Sequence, residues 1–163
     1  MQSFSASPAC KNEETLMTIR CKKLDPKAII PARATAESAG LDLSACLDEP
    51  VTILPGETKM IPIGVAVELP PATAGMIYSR SGLSVKHGIA LVNGVGVVDS
   101  DYRGELKVPL HNYSAESFTV NPGDRVAQMV VTPVLLPDVT EAEDLSDSER
   151  GTGGFGSTGI GTK

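Results

Sequence analysis

"MIPIGVAVEL", residues 60–69, sets Ile61, Ile63, Val65, Val67 and Leu69 at alternate positions. A period of two places every second side chain on one face of an extended strand; a helix would scatter the same residues around its surface. The period returns in "ELKVPLHN" (105–112), where Leu106, Val108 and Leu110 share a face. Pro109 within that run has no N–H to give a ladder, which predicts an edge position or a bulge. "SFTV" (117–120) and "RVAQMVVTPVLL" (125–136) follow, separated by "NPGD" (121–124). There Pro122 presets φ and Gly123 accepts φ > 0, as a tight turn requires. "LPGE" (54–57) does the same between two earlier strands.

No stretch carries a long i, i+3, i+4, i+7 stripe, and the one place for a short helix is "SRSGLSVKHG" (79–88). The pattern predicts an all-β, jelly-roll-like (β-clip) barrel of short strands, with one short helix and a C-terminal arm. Trp is absent and aromatics make up 4% of the chain, so the core must be built from small aliphatics. So lean a core gains from oligomerisation.

A chain of 163 residues can bury one domain's core. Residues 1–16 read as a polar tail, 17–137 as the β domain, and 138–163 as an acidic linker with a Gly-rich arm. Met17 opens "MTIRCKKLD", where the first strand-like pattern begins. "PDVTEAEDLSDSER" (137–150) carries six acidic residues, whose mutual repulsion keeps a segment extended. No apolar run is long enough to span a membrane, and no basic n-region precedes an apolar h-region. Cys10, Cys21 and Cys46 are odd in number and lack C-x-x-C spacing, as in a reduced chain. A cytoplasmic protein is expected, with nucleus and organelles left open. His87 and His111 have no second ligand at zinc spacing. The net charge of −6 argues against a nucleic-acid partner, so an anionic ligand needs local cations, backbone amides or a metal.

"RGTGGFGST" (150–158) sets Gly151, Gly156 and Thr158 in the frame of a P-loop, with Ser157 where the lysine belongs. A P-loop needs a strand before it and a helix after it. Here an acidic run precedes and only "GIGTK" follows. The glycines still permit an anion nest. Arg150 adds a charge, Ser157 and Thr158 add hydroxyls, and Phe155 offers a ring to a base. A flexible tail is the other reading.

Four further stretches hold candidates. In "SAGLDLSA" (38–45), Asp42 is a turn cap or a carboxylate fixed at a strand end. In "SRSGLSVKHG", Arg80, Ser81 and the Gly82 amide combine a cation, a hydroxyl and a helix start, suited to phosphate or to a surface turn. In "NGVGVVDSDYRGEL" (93–106), Asp99 is a candidate general base, Tyr102 a platform for a sugar and Asn93 a reader of a base edge. The alternative is a hairpin whose turn is D-S-D-Y-R-G. In "DRVAQMVV" (124–131), the amide of Gln128 must find a partner in the core or a ligand.

Taken in order, "AGLDLSA", "RSGLSVKHG", "GVGVVDSDYRG", "RVAQ" and "RGTGGFGSTG" resemble the five motifs of the trimeric dUTP pyrophosphatase (dUTPase) family, from about Lys22 to Ile160. The resemblance implies a jelly-roll-like homotrimer that hydrolyses dUTP to dUMP and pyrophosphate with Mg²⁺. It implies sites shared between subunits and exchanged C-terminal arms. It gives Asp99 the attacking water, Tyr102 the deoxyribose and the exclusion of a 2′-OH, and Asn93 the uracil. Arg80, Ser81, Gly82 and Gln128 would line the phosphates, and Asp42 would hold waters on the magnesium. On the arm, Arg150 would meet the γ-phosphate, Phe155 would cover the uracil, and Gly156, Ser157 and Thr158 would complete the phosphate cradle. One departure is Ser79, where the family usually has proline, which puts the rigidity of that loop in question. The competing expectations are a dCTP deaminase of related fold and a non-catalytic trimeric nucleotide-binding module.

Overall fold

The structure, a computed structural model, describes residues 18–154. Phe155, Gly156, Ser157 and Thr158, and the tail 1–16, lie outside the described residues. Within them the chain forms eleven strands and one helix: β1 Arg20–Lys23, β2 Leu41–Ser44, β3 Val51–Ile53, β4 Thr58–Pro62, β5 Val65–Glu68, β6 Thr73–Ser79, α1 Ser81–His87, β7 Ile89–Leu91, β8 Gly96–Asp99, β9 Lys107–Asn112, β10 Phe118–Val120 and β11 Arg125–Pro133. They make four small antiparallel sheets, ordered β1-β5, β3-β10, β2-β11-β6-β8 and β4-β9-β7. The expected all-β architecture with a single short helix is what the chain adopts.

The alternation of the opening stretch becomes burial. Ile61, Ile63, Val65, Val67 and Leu69 are all buried, and with Leu43, Ile53, Val108, Leu110, Val120 and Met129 they form one continuous aliphatic core. Each such side chain removed from water contributes about 1.5–3 kcal/mol. The core's buried amide is fully satisfied. Asn112 Nδ2 donates to the Ile53 and Glu116 carbonyls, and its Oδ1 accepts the Ser114 N–H and hydroxyl, which ties β9 to β3.

Both predicted turns form, with Gly56 at φ +74° and Gly123 at φ +84°. Pro109 corrects the edge expectation. It lies on β9, the middle strand of its sheet, opposite Met60 of β4. On its other side the paired strand β7 ends at Leu91, and Val92 N–H donates to the Pro109 carbonyl at 3.0 Å. A residue's N–H and C=O point to the same neighbour, so proline accepts this bond and cannot return one. It stops a ladder inside the sheet.

Arg80 starts α1 in extended backbone without a side-chain cap, and Gly88 ends it in the left-handed region, its N–H bonded to Leu83 O and Ser84 O. Lys86 and His87 sit in the last turn, where cations suit the helix dipole. No helix among the described residues is long and apolar enough to cross a membrane. After β11 the chain leaves the body, and Leu135, Leu136, Val139 and Leu145 are 93, 76, 95 and 90% exposed.

Candidate active site

The four-stranded sheet positions most of the candidates. Paired residues on antiparallel strands share a face. Asp42 of β2 stands opposite Gln128 of β11, which stands opposite Tyr78 of β6. Their neighbours Leu41, Met129 and Ile77 turn to the core face, where all three are buried. The outward face therefore carries a carboxylate, an amide and a phenol in a row.

That row lines a cleft of about 430 Å³, together with Arg80, Ser81 and Gly82. The sequence-predicted residues of three separate stretches meet there. Arg80 Nε lies 3.1 Å from Asp42 Oδ1, and Arg125 Nη1 lies 2.9 Å from Asp42 Oδ2. The Asp42 side chain is 18% exposed, so two cations face one half-buried carboxylate. In an acidic protein this gives a local positive balance at the spot where an anion would enter. Gln128 Nε2 donates to the Ser79 carbonyl at 3.2 Å, which answers the question of its partner.

Ser79 itself is anchored. Its hydroxyl accepts the N–H of Leu91 at 2.9 Å while its carbonyl holds Gln128. The loop that lacks the usual proline is thus held by a side-chain bond to β7.

Asp99, Tyr102 and Asn93 line a second cleft, of about 450 Å³, beyond the β8 edge of the same sheet. Its wall is apolar, including Ile77, Leu91, Met60 and Val98. Asp99 pairs with Ala74 across β6 and is exposed at the end of β8. Tyr102 folds back over Gly104, with its hydroxyl donating to Glu105 O at 3.1 Å.

The two clefts are set apart. Asp42 and Asp99 point to the same sheet face from opposite corners, three strands and four residues apart in register. Strand spacing and rise convert this to a separation of about 20 Å. Arg150 joins neither cleft; its Nε donates to Gly153 O at 2.7 Å in a local turn. Among the described residues no cluster of three His, Cys, Asp or Glu side chains is placed to cage a metal ion.

Tyr78, which lines the first cleft, and Arg125, which pairs with Asp42 from beside it, were not singled out from the sequence. Tyr78 looked like any aromatic on a strand. Arg125 opened a stretch from which only Gln128 was taken. The signal for Arg125 lies in the two consecutive apolar residues after it, Val126 and Ala127, which break the alternation.

The chain is similar to known proteins of one family along most of its length. The family model dUTPase matches residues 26–159. A deoxyuridine 5′-triphosphate nucleotidohydrolase of Janthinobacterium sp. (strain Marseille) is 53% identical over 147 residues, 88% of this chain and 99% of its own length. The protein of that name from Hahella chejuensis is 52% identical over 145 residues, 88% of this chain and 95% of its own. Among solved structures, a Staphylococcus bacteriophage 80alpha dUTPase with dUpNHpp superposes with a TM-score of 0.80 at 29% identity, covering 88% of this chain and 99% of that one. A dUTPase from phage phi11 of S. aureus, described with a structural Mg(II) ion, superposes at 0.72 with 25% identity, covering 80% and 99%. Family match, near-complete coverage and a shared jelly-roll-like fold agree: the chain belongs to the dUTPase family.

Proposed function

We propose that this protein hydrolyses dUTP to dUMP and pyrophosphate, lowering dUTP and supplying dUMP for thymidylate synthesis. The observation that carries the reading is the division of labour between the two clefts. One holds Arg80, Ser81, Gly82 and Gln128, donors suited to phosphate oxygens. The other sets a carboxylate, Asp99, beside a phenol and an amide on an apolar wall, suited to a sugar and a base.

In this reading Asp99 accepts a proton from the water that attacks the α-phosphorus, and pyrophosphate leaves. Arg80, Ser81 and Gln128 hold the phosphates in line, and positioning with charge neutralisation provides most of the rate. Tyr102 lies beneath the deoxyribose and leaves no room for a 2′-OH. Asn93 reads uracil. Arg150 and the arm beyond it, including Phe155, Gly156, Ser157 and Thr158, close over the nucleotide.

Mg²⁺ fits these residues in one way. It keeps several waters and binds through substrate phosphates and one or two carboxylates. Asp42 alone supplies that carboxylate here, so it would touch the ion through water. Bound there, the metal supplies neutralisation of the triphosphate.

A general base must lie within about 3 Å of its water. With Asp42 and Asp99 about 20 Å apart, one copy cannot bring both to the same phosphate. We assign the complete site to two neighbouring copies, the first cleft of one against the second cleft of the next. Head-to-tail contacts of this kind form a ring when the rotation between copies closes, and the homotrimer is the ring that the family resemblance implies. The exposed row Leu135, Leu136, Val139 and Leu145 supports an arm that crosses to another copy. The same division describes the chain as a β domain, 17–137, with a functional arm, 138–163. A cytoplasmic location goes with this reading, supported by the free thiols of Cys21 and Cys46.

The test is pyrophosphate release from dUTP, dTTP, dCTP and UTP, with Mg²⁺ and with EDTA. Metal-dependent turnover of dUTP alone is expected. Ammonia release from dCTP, or binding of dUTP without turnover, would overturn the reading.

A further inference from the structure

We propose that Arg125 is a positioning residue for the phosphate end of the site. It keeps Asp42 neutralised while Arg80 turns to the substrate. The inference rests on the reading of Arg80 as a phosphate ligand.

The backbone aims Arg125 there. In the β11–β2 ladder, Gln128 opposes Asp42, Ala127 opposes Leu43, and Arg125 opposes Ser44. Val126 is therefore the extra residue of a β-bulge. Val126 and Ala127 are both buried, at 1 and 0% exposure, in place of the usual alternation. Without the bulge, Arg125 would share the core face with Ala127. With it, Arg125 shares the outward face with Gln128 and reaches Asp42. Bulges recur beside active sites because they re-aim a side chain in this way.

The contacts then form a closed triad. Asp42 Oδ1 takes Arg80 Nε at 3.1 Å, Asp42 Oδ2 takes Arg125 Nη1 at 2.9 Å, and Arg80 Nη1 donates to the Arg125 carbonyl at 3.2 Å. An arginine held by a carboxylate must loosen that bond to serve a phosphate. If Arg80 were the sole cation on Asp42, its departure would leave a half-buried carboxylate with no direct cationic partner. Arg125 removes that cost, because the second oxygen stays paired. Its carbonyl also keeps hold of Arg80, so the guanidinium pivots instead of swinging free. Arg125 is more exposed than its partners, 52% against 18% for Asp42 and 27% for Arg80, and contributes less to packing.

The experiment compares Arg125→Gln, Arg125→Lys, Arg80→Gln and Asp42→Asn in the full-length protein. It measures affinity for dUpNHpp in Mg²⁺, kcat and KM for dUTP, and melting temperature. In Arg125→Gln, affinity for dUpNHpp should fall and KM rise by about ten- to a hundredfold, the order of one charged hydrogen bond, with kcat changed less than about threefold. Arg125→Lys, which keeps the charge, should recover most of that loss. In an Asp42→Asn background, Arg125→Gln should have little further effect, because the pair acts as a unit. If Arg80→Gln weakens dUpNHpp and Arg125→Gln does not, the inference fails alone. If Arg80→Gln leaves binding unchanged, the phosphate reading beneath it fails. A lysine variant as weak as the glutamine variant, with both melting early, marks Arg125 as merely structural and overturns the proposal.

Discussion

Tyr102 lies against Gly104 so closely that a β-carbon on that glycine would fall 2.5 Å from the tyrosine Cζ. The ring can occupy its place only because residue 104 has no side chain. Its hydroxyl is then fixed by Glu105 O. The pose of the proposed sugar platform is thus set two residues away. Gly104→Ala should displace the ring while leaving the buried core untouched. We expect kcat/KM for dUTP to fall by about tenfold or more, since ångström-scale misplacement carries penalties of that order. Discrimination against UTP should narrow at the same time. Steady-state kinetics on both nucleotides checks this; an unchanged ratio would remove the link between Gly104 and sugar selection.

Ser79 gives a stability prediction. Its hydroxyl accepts the N–H of Leu91, a residue 2% exposed. Ser79→Ala takes away the acceptor and leaves the donor buried, at a cost of about 1–3 kcal/mol. Urea unfolding should show a lower midpoint with an unchanged slope. A midpoint equal to wild type would mean that another acceptor replaces the hydroxyl.

The proposed role of Asp99 predicts a separation of chemistry from binding. Asp99→Asn keeps the shape and removes the proposed base, so kcat should fall by about 10²-fold or more. Affinity for dUpNHpp should stay within about threefold, because the proposed phosphate donors sit in the other cleft. Parallel loss of both would recast Asp99 as a binding residue.

The thiols give a pH prediction. Burial pushes the Cys21 thiol above its ordinary value, and burial, then the charge of Asp25, does the same at Cys46. A raised pKa leaves the thiol protonated at neutral pH, and only the thiolate attacks. Iodoacetamide should modify both residues slowly at pH 7 and faster as the pH rises toward 10. Peptide mapping that finds rapid modification of either one at neutral pH would contradict this.

Much of the fold was legible because its signals are local. Period two in residues 60–69, the Pro-Gly turns and the single helix window each depend on a few adjacent residues. The five motifs were legible for the same reason. What escaped was register. Asp42, Gln128, Tyr78 and Asp99 lie on strands far apart in sequence, and their order across the sheet is decided by tertiary pairing. No local pattern places Asp42 and Asp99 at opposite corners. Pro109 was misplaced for that reason too: its missing N–H is compatible with a middle strand once the neighbour β7 is seen to stop at Leu91. Arg125 escaped because a bulge is a mismatch between two strands, visible only when both are present.

The central claim is that two copies supply one site, and complementation tests it most directly. Arg80→Gln disables the first cleft and Asp99→Asn the second, in separate preparations. Each variant alone should be nearly inactive. After unfolding and refolding as an equal mixture, about one site in four should join an intact first cleft to an intact second cleft, if copies associate at random in a ring. The account predicts recovery of about a quarter of wild-type dUTP turnover in the refolded mixture. A mixture no more active than either variant alone would place both clefts' residues in one copy's site and contradict it.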